Sequence, residues 1–281
     1  RVRTLLDDAN LNGRRGKGRD VWLALGCALS SDAEYVVVHD ADTRSYDRSY
    51  VQRLLFPLTG EFSFVKGYYA RVENEQLYGR LFRLFYTPLV RALQAAHDAP
   101  ILSYLAAFRY ALAGEFATTR EVAARLRIQR SWGLEVGTLG DAFREVGFKG
   151  SAQVDLGTYE HDHRSVGGPT GLSEMSEAVG GALLRAAEEA GVEPDYETLP
   201  SRYRETAEEL IRSYAADAAF NGLEYDPSAE RDQVASYAAA IGPPGPDDRL
   251  PAWTEAPLDP ARVHEAAAAD LADATATEQT R

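Results

Sequence analysis

The sequence predicts an α/β core that continues into a helical C-terminal part. Two observations support this fold class. Runs of β-branched or alternating residues at 34–39 and 62–69 indicate strands, and amphipathic helical segments lie between and after them. Strands that are separated by helices are typical of an α/β core. Beyond that core, helical patterns dominate at 172–190, 201–220 and 261–274.

The first elements follow one another in a regular order. Residues 1–18 are polar and predict a loop that ends in glycines and positive charge. Apolar residues at helical spacing predict helices over 19–30, 47–58 and 77–96. Pro88 is expected to kink the third of these helices or to split it in two.

The middle of the chain is less regular. Residues 103–113 give a mixed pattern, and a helix is expected to start near Thr119, after Gly114-Glu115-Phe116-Ala117. The periodicity then predicts a helix over 132–146 and a short strand over 152–157. The α/β pattern therefore continues through the first two thirds of the chain.

The composition divides the chain into three parts. We predict a catalytic domain over 1–192, a helical extension over 193–242, and a linker with an Ala/Asp-rich helix and a disordered tail over 243–281. The chain opens at Arg1 in mid-pattern, although an α/β domain normally has strands before one such as 34–39. The catalytic domain is therefore expected to lack its N-terminal strands.

The overall charge limits the classes of partner. The 281 residues carry a formal net charge of −13, and only three of the 30 basic residues are lysine. Such an acidic, lysine-poor chain suggests a salt-adapted organism and argues against nonspecific nucleic-acid or anionic-membrane binding. The single Cys27 excludes an internal disulfide and fits a reducing, cytoplasmic compartment. No run reaches the ~18 apolar residues of a membrane span, so no stable membrane insertion is expected.

The strand at 34–39 ends in two carboxylates, Asp40 and Asp42. Three interpretations compete for them. They could form a turn, since Asp often caps the helix after a strand. They could be the nucleophile and general acid of a haloacid-dehalogenase-type phosphatase, where such a strand ends in Asp-x-Asp-x-Thr. They could also bind a nucleoside diphosphate and its Mg²⁺ or Mn²⁺, since hard cations prefer oxygen ligands.

The segment before this strand favours the third interpretation. Gly16-Lys17-Gly18 precedes a helix and then the strand that ends in acids, which is the order of a nucleotide-sugar glycosyltransferase. A lysine flanked by glycines can approach a diphosphate closely, because the glycines add no side-chain bulk. Lys17 could also be a solvated loop residue, although a chain with so few lysines makes this less persuasive.

Basic residues near the second strand point to a small anionic ligand. Lys66, Arg71 and Arg80 lie near the ends of predicted elements in a strongly acidic chain. A local positive cluster against such a background would steer a small anion. The alternative is that the two arginines only pair with Glu73 and Glu75, which contributes little.

A carboxylate also stands where apolar residues are expected. Glu135 lies in the apolar helix start Trp132-Gly133-Leu134-Glu135-Val136-Gly137. A buried carboxylate is costly unless it is hydrogen-bonded or functional. This position therefore predicts a functional acid.

Taken together, ordered segments from about Gly16 to about Val192 resemble the glucosyl-3-phosphoglycerate synthases, a family of retaining, family-2-like glycosyltransferases with an A-type, Rossmann-like fold. The resemblance depends on the order and spacing of short motifs, each of which is weak alone. The motifs are Gly16-Lys17-Gly18, Asp40-Ala41-Asp42, Phe64-Val65-Lys66-Gly67-Tyr68-Tyr69-Ala70-Arg71, Gly79-Arg80 with Pro88-Leu89, Gly114-Glu115-Phe116-Ala117-Thr118-Thr119-Arg120-Glu121, Gly133-Leu134-Glu135-Val136-Gly137, Val154-Asp155-Leu156-Gly157, Glu160-His161 and Met175-Ser176.

This resemblance implies a hexose transfer, most simply of glucose, from a nucleotide-sugar donor such as UDP-glucose to a small anionic acceptor such as 3-phosphoglycerate. It implies a homodimer and a Mg²⁺ or Mn²⁺ cofactor, with Asp42 and His161 as metal ligands. The roles that it implies for the other residues are shared among three groups. They are donor binding by Lys17 and Asp40, acceptor binding by Gly79 and Arg80, and catalytic carboxylates at Asp42, Glu115 and Glu135, the last two lining the sugar and acceptor pocket. The positive cluster near the second strand adds Lys66 to the residues expected to bind the acceptor.

One departure from the family concerns the acceptor. The family has a threonine two residues after the acceptor-loop arginine, and this chain has Phe82 there. The glycine run before the arginine is also reduced to Tyr78-Gly79. The acceptor can therefore differ from 3-phosphoglycerate even if the chain is a glycosyltransferase.

Three other functions stay open at the level of sequence. The first is a family-2-like transferase with a lipid-linked or polysaccharide acceptor, which the lack of apolar spans disfavours. The second is the phosphatase, for which Lys149 and Asp141 are poor candidates as the further lysine and acid. The third is a non-catalytic acceptor-binding or dimerisation body, if strands of the nucleoside pocket are missing.

Overall fold

The computed structural model describes residues 1–13, 15–73, 76–158 and 169–279. Its strands, in chain order, are β1 Tyr35–Val38, β2 Phe64–Ala70, β3 Val72–Glu73, β4 Gln76–Leu77, β5 Phe116–Thr119 and β6 Ser151–Thr158. Four of them form a mixed sheet in the order β1-β5-β2-β6. β5 is antiparallel to both β1 and β2, whereas β2 and β6 are parallel. The short strands β3 and β4 pair as a separate hairpin.

Helices surround this sheet and make up most of the C-terminal part. They are α1 Val2–Asp8, α2 Lys17–Leu29, α3 Ser49–Leu55, α4 Thr87–Gln94, α5 Pro100–Ala106, α6 Arg120–Ala123, α7 Leu134–Glu145, α8 Pro169–Glu189, α9 Leu199–Asn221, α10 Pro227–Ala238 and α11 Pro260–Gln279. A 3₁₀ turn, Phe56–Thr59, follows α3, and a π-helical stretch, Leu81–Tyr86, precedes α4. None of the helices in the described part is long and apolar enough to cross a membrane.

The sheet buries both of its faces, because alternate residues of its strands point to opposite sides. Phe64 and Phe116 belong to the large core under the helices, with their rings 5.8 Å apart. Their neighbours Val65 and Ala117 belong to a smaller core on the other face, which Leu54 of α3 helps to close. The predicted α/β core is therefore confirmed, with helices on both faces of a mixed sheet.

Several elements differ from the sequence expectation. The polar segment at 1–18 contains the helix α1. The helix α5 and the hairpin of β3 and β4 were not predicted, and α10 lies in the predicted helical extension without having been predicted as a separate helix. Residues 116–119, which were expected only to lead into a helix, form the strand β5, which pairs with strands on both sides. Its four residues are too short a run to show an alternating pattern, so tertiary pairing decides its structure. The helix expected near Thr119 is present as α6, and the Thr119 hydroxyl caps it by accepting from the Val122 N–H.

The break expected at Pro88 is a change of helix type. Residues Leu81–Tyr86 form a π-helical stretch, and α4 starts at Thr87 with Pro88 in its first turn. Proline lacks an N–H group, so it fits the first turn of a helix, where that group has no partner within the helix. The π-helical stretch begins directly after Arg80, one of the predicted acceptor residues.

The segment after the Pro-rich run docks on the helix that carries Lys17. The rings of Trp22 in α2 and Trp253 stack at 3.9 Å between centroids. The Trp22 indole donates to the Pro251 carbonyl at 2.8 Å, and the Trp253 indole donates to the Trp22 carbonyl at 3.0 Å. Gly26 is required beneath this stack, because a Cβ there would lie 2.2 Å from the Trp253 ring. The C-terminal part therefore helps to fix α2, while the domain boundaries at 192 and 242 remain predictions.

Candidate active site

Three elements bring charged side chains together at the end of β1. Asp40 follows β1, Lys17 is the first residue of α2, and Glu135 lies in the first turn of α7. The Lys17 ammonium lies 2.5 Å from Asp40 Oδ1 and 3.0 Å from Glu135 Oε1. The Lys17 side chain is 41% exposed, whereas the two carboxylate side chains are 16% and 15% exposed. Lys17 is thus the part of this cluster that solvent, or a ligand, reaches most easily.

The electrostatics of this cluster keep Lys17 charged. Burial alone would lower its pKa, but the carboxylates of Glu135 and Asp40 outweigh burial and raise it above the ordinary value. Glu135 in turn benefits from the positive end of the α7 dipole and from its ion pair with Lys17. This pairing explains how a carboxylate persists in an apolar helix start.

Glycines in the cluster are required by close packing. A Cβ at Gly18 would lie 1.6 Å from the Gln129 carbonyl oxygen, and one at Gly16 would lie 2.8 Å from the Arg130 carbonyl oxygen. A Cβ at Gly114 would lie 2.3 Å from the nearest Asp40 carboxylate oxygen. The glycines around Lys17 therefore let α2 start directly against residues 129–131. The close approach of a diphosphate, which we expected from the sequence, remains a prediction.

Beneath this cluster lies a buried floor that includes Lys66 and Glu115, each only 1% exposed. The Lys66 ammonium donates to the Ala113 carbonyl. Burial lowers the pKa of Lys66 to about 8, against the opposing influence of Glu135, Glu115 and Asp40. Lys66 thus adds buried positive charge under the predicted carboxylates. Its predicted contact with an acceptor remains a prediction, because its side chain does not reach solvent in this structure.

The predicted acceptor residues lie next to this floor. Gly79 has a positive φ of 82°, which favours glycine, and a Cβ there would lie 3.3 Å from the Tyr110 ring. Arg80 is exposed, and its Nε lies 3.4 Å from Glu230 Oε1 of α10. Of the acidic partners considered from the sequence, Glu75 lies outside the described residues. The described partner of Arg80 is thus an acid more than 100 residues away in the sequence.

Tyr110 lies between the predicted acceptor residues and the buried floor. It was not identified as a site residue from the sequence. Arg71 Nη1 donates to the Tyr110 hydroxyl at 3.4 Å. Burial raises the pKa of Tyr110; the Arg71 charge opposes this, and the charges of Glu135 and Glu115 add to it. The residue lies in the unpatterned stretch at 103–113, and no local signal there indicated a site.

Phe82 packs inward. Its ring centroid lies 5.5 Å from that of Tyr86 and 5.0 Å from that of Tyr110. The residue that departs from the family's threonine therefore belongs to an aromatic cluster beside Gly79. Phe82 therefore has no side-chain hydroxyl with which to bind an acceptor.

Of the two predicted metal ligands, only Asp42 lies among the residues that the structure describes. Asp42 is exposed in the turn after β1, and the Thr43 hydroxyl in the same turn donates to the Asp40 carbonyl at 3.0 Å. His161 lies outside the described residues. Within the described ranges, no group of three His, Cys, Asp or Glu side chains could by itself hold a metal ion. An exposed carboxylate beside Asp40 nevertheless supplies the oxygen donors that suit Mg²⁺ or Mn²⁺.

Comparison with known proteins gives one consistent family. No family model matches the chain. Glucosyl-3-phosphoglycerate synthase of Methanococcoides burtonii is 38% identical over 265 residues, which are 88% of this chain and 65% of that protein. The synthase of Persephonella marina is 40% identical over 248 residues, 84% of this chain and 61% of that protein. The chain thus spans somewhat less than two thirds of the length of these curated relatives.

Solved structures agree on the fold. The crystal structure of glucosyl-3-phosphoglycerate synthase from Mycobacterium tuberculosis with Mn²⁺, UDP-glucose and phosphoglyceric acid superposes with a TM-score of 0.52. The two sequences are 28% identical, and the match covers 66% of this chain and 59% of that one. A complex of the same enzyme with Mg²⁺ and UDP gives the same TM-score at 30% identity. The A-type glycosyltransferase fold predicted from the sequence is therefore confirmed.

Proposed function

We propose that this chain, which is similar to the glucosyl-3-phosphoglycerate synthases, transfers a hexose from a nucleotide sugar to a small anionic hydroxy acid. UDP-glucose and 3-phosphoglycerate are the donor and acceptor that we propose. The observation that carries the proposal is the ion-pair cluster of Lys17, Asp40 and Glu135 at the end of β1. Ligands of α/β sheets collect at the carboxyl ends of strands, where this cluster lies.

The donor would bind where Lys17 is accessible. Because Lys17 stays protonated, it can exchange a carboxylate partner for the oxygens of a diphosphate. Asp40 lies at the same point, and we assign it to the nucleoside side of the donor. Asp42, with His161, would hold a Mg²⁺ or Mn²⁺ ion. The chemistry that such an ion supplies is charge neutralisation of the leaving diphosphate.

The acceptor would bind on the side of Gly79 and Arg80. Arg80 is exposed, and a guanidinium can grip a phosphate or carboxylate through two parallel hydrogen bonds. Glu115 and Glu135 would line the sugar and acceptor pocket, and the buried Lys66 offsets part of their negative charge. This arrangement holds an acceptor hydroxyl near the anomeric carbon and excludes water by its buried floor.

The reaction that we propose is retaining and needs no protein nucleophile. The departing phosphate takes the proton of the acceptor hydroxyl while the new glycosidic bond forms on the same face of the sugar. Positioning and charge stabilisation are then the contributions of the protein. Lys17 would supply the charge at the leaving group.

Calorimetric titration tests the donor side. We expect UDP-glucose to bind in the presence of Mg²⁺ and to bind much more weakly without it, with GDP-mannose as the competing donor. Asp42→Ala should remove the dependence on Mg²⁺, because a metal ligand is lost. Metal-dependent binding that survives this substitution unchanged would show the metal assignment to be wrong.

Product analysis tests the reaction itself. Incubation with UDP-glucose and 3-phosphoglycerate should release UDP and form a glucosylated acid in which the anomeric configuration is kept. Release of inorganic phosphate from a sugar phosphate, with no nucleotide donor, would instead identify the phosphatase. Failure to bind UDP with Mn²⁺ would identify a non-catalytic body.

The proposal extends to the assembly and the location. The resemblance supports a homodimer, and sedimentation analysis should give twice the mass of the chain. The cytoplasmic location is supported by the acidic composition and the single cysteine. Localisation of the tagged protein in its own cell checks it.

A further inference from the structure

A buried ion pair joins the acceptor side of the site to the C-terminal helices. The side chains of Arg83 and Glu230 are 7% and 5% exposed. They form two hydrogen bonds of 3.0 Å each, from Nη1 to Oε2 and from Nη2 to Oε1. The guanidinium also lies over the Tyr214 ring of α9, 5.0 Å from its centroid. Arg83 is therefore held on two sides by helices that follow the predicted catalytic domain.

Arg83 in turn fixes the acceptor loop, which we define as residues 78–83. Its Nε donates to the Tyr78 carbonyl at 3.3 Å. Its backbone N–H donates to the Gly79 carbonyl at 3.0 Å. These two bonds close the turn in which Gly79 takes its positive φ. The conformation of the acceptor loop thus depends on the side chain that Glu230 holds.

Glu230 also contacts the acceptor arginine directly. Arg80 Nε lies 3.4 Å from the same Oε1 atom that accepts from Arg83. Because Nε makes this contact, the terminal NH₂ groups of Arg80 are the donors that would face an anion. One carboxylate therefore orders both arginines, one of them buried and the other exposed.

Helix packing alone explains this pair poorly. Arg231 and Glu208 already join α10 to α9 at the surface by two hydrogen bonds of 2.9 Å. A buried ion pair loses hydration on both sides and often adds little net stability, whereas it can specify one arrangement. The buried pair at Glu230 therefore suits the fixing of a geometry better than the joining of two helices.

We propose that Glu230 and Arg83 are positioning residues that set the acceptor loop and orient Arg80 toward an anionic acceptor. The part of this inference that concerns the acceptor rests on the proposed function, whereas the part that concerns the loop does not. The helical C-terminal part thereby contributes to acceptor binding without touching the acceptor itself.

Amide hydrogen exchange tests the loop without any substrate. In Glu230→Gln the acceptor loop should exchange about tenfold faster, which corresponds to the loss of one hydrogen bond to a charged group. Glu208→Gln is the matched control, because it removes a carboxylate from the exposed pair between the same helices. It should leave exchange in the loop unchanged, and α2 should be unchanged in both variants. Equal exchange of the loop in the two variants would overturn the inference.

Steady-state kinetics test the acceptor. The KM for 3-phosphoglycerate should rise about tenfold in Glu230→Gln, while the KM for UDP-glucose and the kcat stay near the wild-type values. Glu208→Gln should match the wild type in all three. Faster loop exchange with an unchanged acceptor KM would overturn the link to the acceptor. A wild-type protein that does not glucosylate 3-phosphoglycerate would overturn the proposed function, while the exchange experiment still decides the loop.

A second substitution guards against a folding defect. Arg83→Lys keeps a positive charge beside Glu230 but has no Nε donor for the Tyr78 carbonyl. It should therefore loosen the loop in the same way as Glu230→Gln. A loop that stays as well protected as in the wild type would contradict the role given to Arg83.

Discussion

Removal of the Lys66 charge tests the buried floor of the site directly. The pKa of this lysine is lowered by burial from 10.5 to about 8. Each pKa unit corresponds to about 1.4 kcal/mol, so the charged form of Lys66 costs the folded protein about 3 kcal/mol. Lys66→Met removes this cost together with the charge. The consequence is a difference in the pH dependence of stability between the two proteins.

The sign of that difference follows from the protons bound. Between pH 8 and 10.5 the unfolded chain keeps the proton of Lys66 while the folded chain has lost it, so the free energy of unfolding rises with pH. Between near pH 7 and near pH 9.5 this rise amounts to about 2 kcal/mol. Lys66→Met has no such group and should lack this part of the rise.

Urea-induced unfolding at the two pH values measures the difference. The wild type should gain about 2 kcal/mol more than Lys66→Met between near pH 7 and near pH 9.5. Lys149→Met is the matched control, because it removes the exposed lysine and should follow the wild type. If the wild type and Lys66→Met show the same pH dependence, burial does not lower the pKa of Lys66 and the description of the floor is wrong.

Three further predictions concern the helix that carries Lys17. Gly18→Ala should lower the Tm and weaken UDP-glucose binding, because its Cβ would meet the Gln129 carbonyl oxygen at 1.6 Å. Gly181→Ala is the control, because a Cβ at this position of α8 meets no atom within 4 Å, and it should stabilise the protein by about 0.5–1 kcal/mol. Equal melting temperatures of Gly18→Ala and Gly181→Ala would contradict the packing argument. Trp253→Ala should lower the free energy of unfolding, measured with urea, by about 3–5 kcal/mol, because it removes the ring stacked on Trp22. A decrease below about 1 kcal/mol would mean that the segment with Trp253 does not pack on α2. Lys17→Met should weaken UDP-glucose binding more than tenfold in calorimetry, about the loss of one charge-assisted bond, and unchanged affinity would remove Lys17 from the donor site.

The sequence predicted best where the signal is local. The strand before Asp40 and the helix after Lys17 each carry a continuous apolar pattern, and both are found with shifts of one or two residues at their ends. β5 was missed because four residues cannot establish a period, and its structure depends on pairing with two neighbours. α1 was missed because a seven-residue helix in a polar segment depends on tertiary contacts, such as the bond from Val2 to Asp270 in α11.

The site was predicted in part for the same reason. Lys17, Asp40 and Glu135 stood out as residue types in unusual places, and the structure brings them into contact. Tyr110 and Glu230 carried no such mark. One lies in a stretch without a pattern, and the other lies in a helix with a polar sequence. Their importance depends on contacts with residues that are distant in the chain, which no local pattern contains.

The two lysines of the site are shifted in opposite directions, and this separates their roles. Lys17 lies between two carboxylates at the solvent boundary, and its pKa is raised, so it remains a cation that can meet a diphosphate. Lys66 is buried, and its pKa is lowered to about 8, so its charge depends on the acids around it and on the Ala113 carbonyl that accepts from it. An arginine could not take the place of either lysine without a change in the site, because arginine is larger and keeps its charge when it is buried. Two of the three lysines of the chain thus lie in the candidate site. One lies at the solvent boundary, where we propose that the donor diphosphate binds, and the other is a buried counter-charge beneath it.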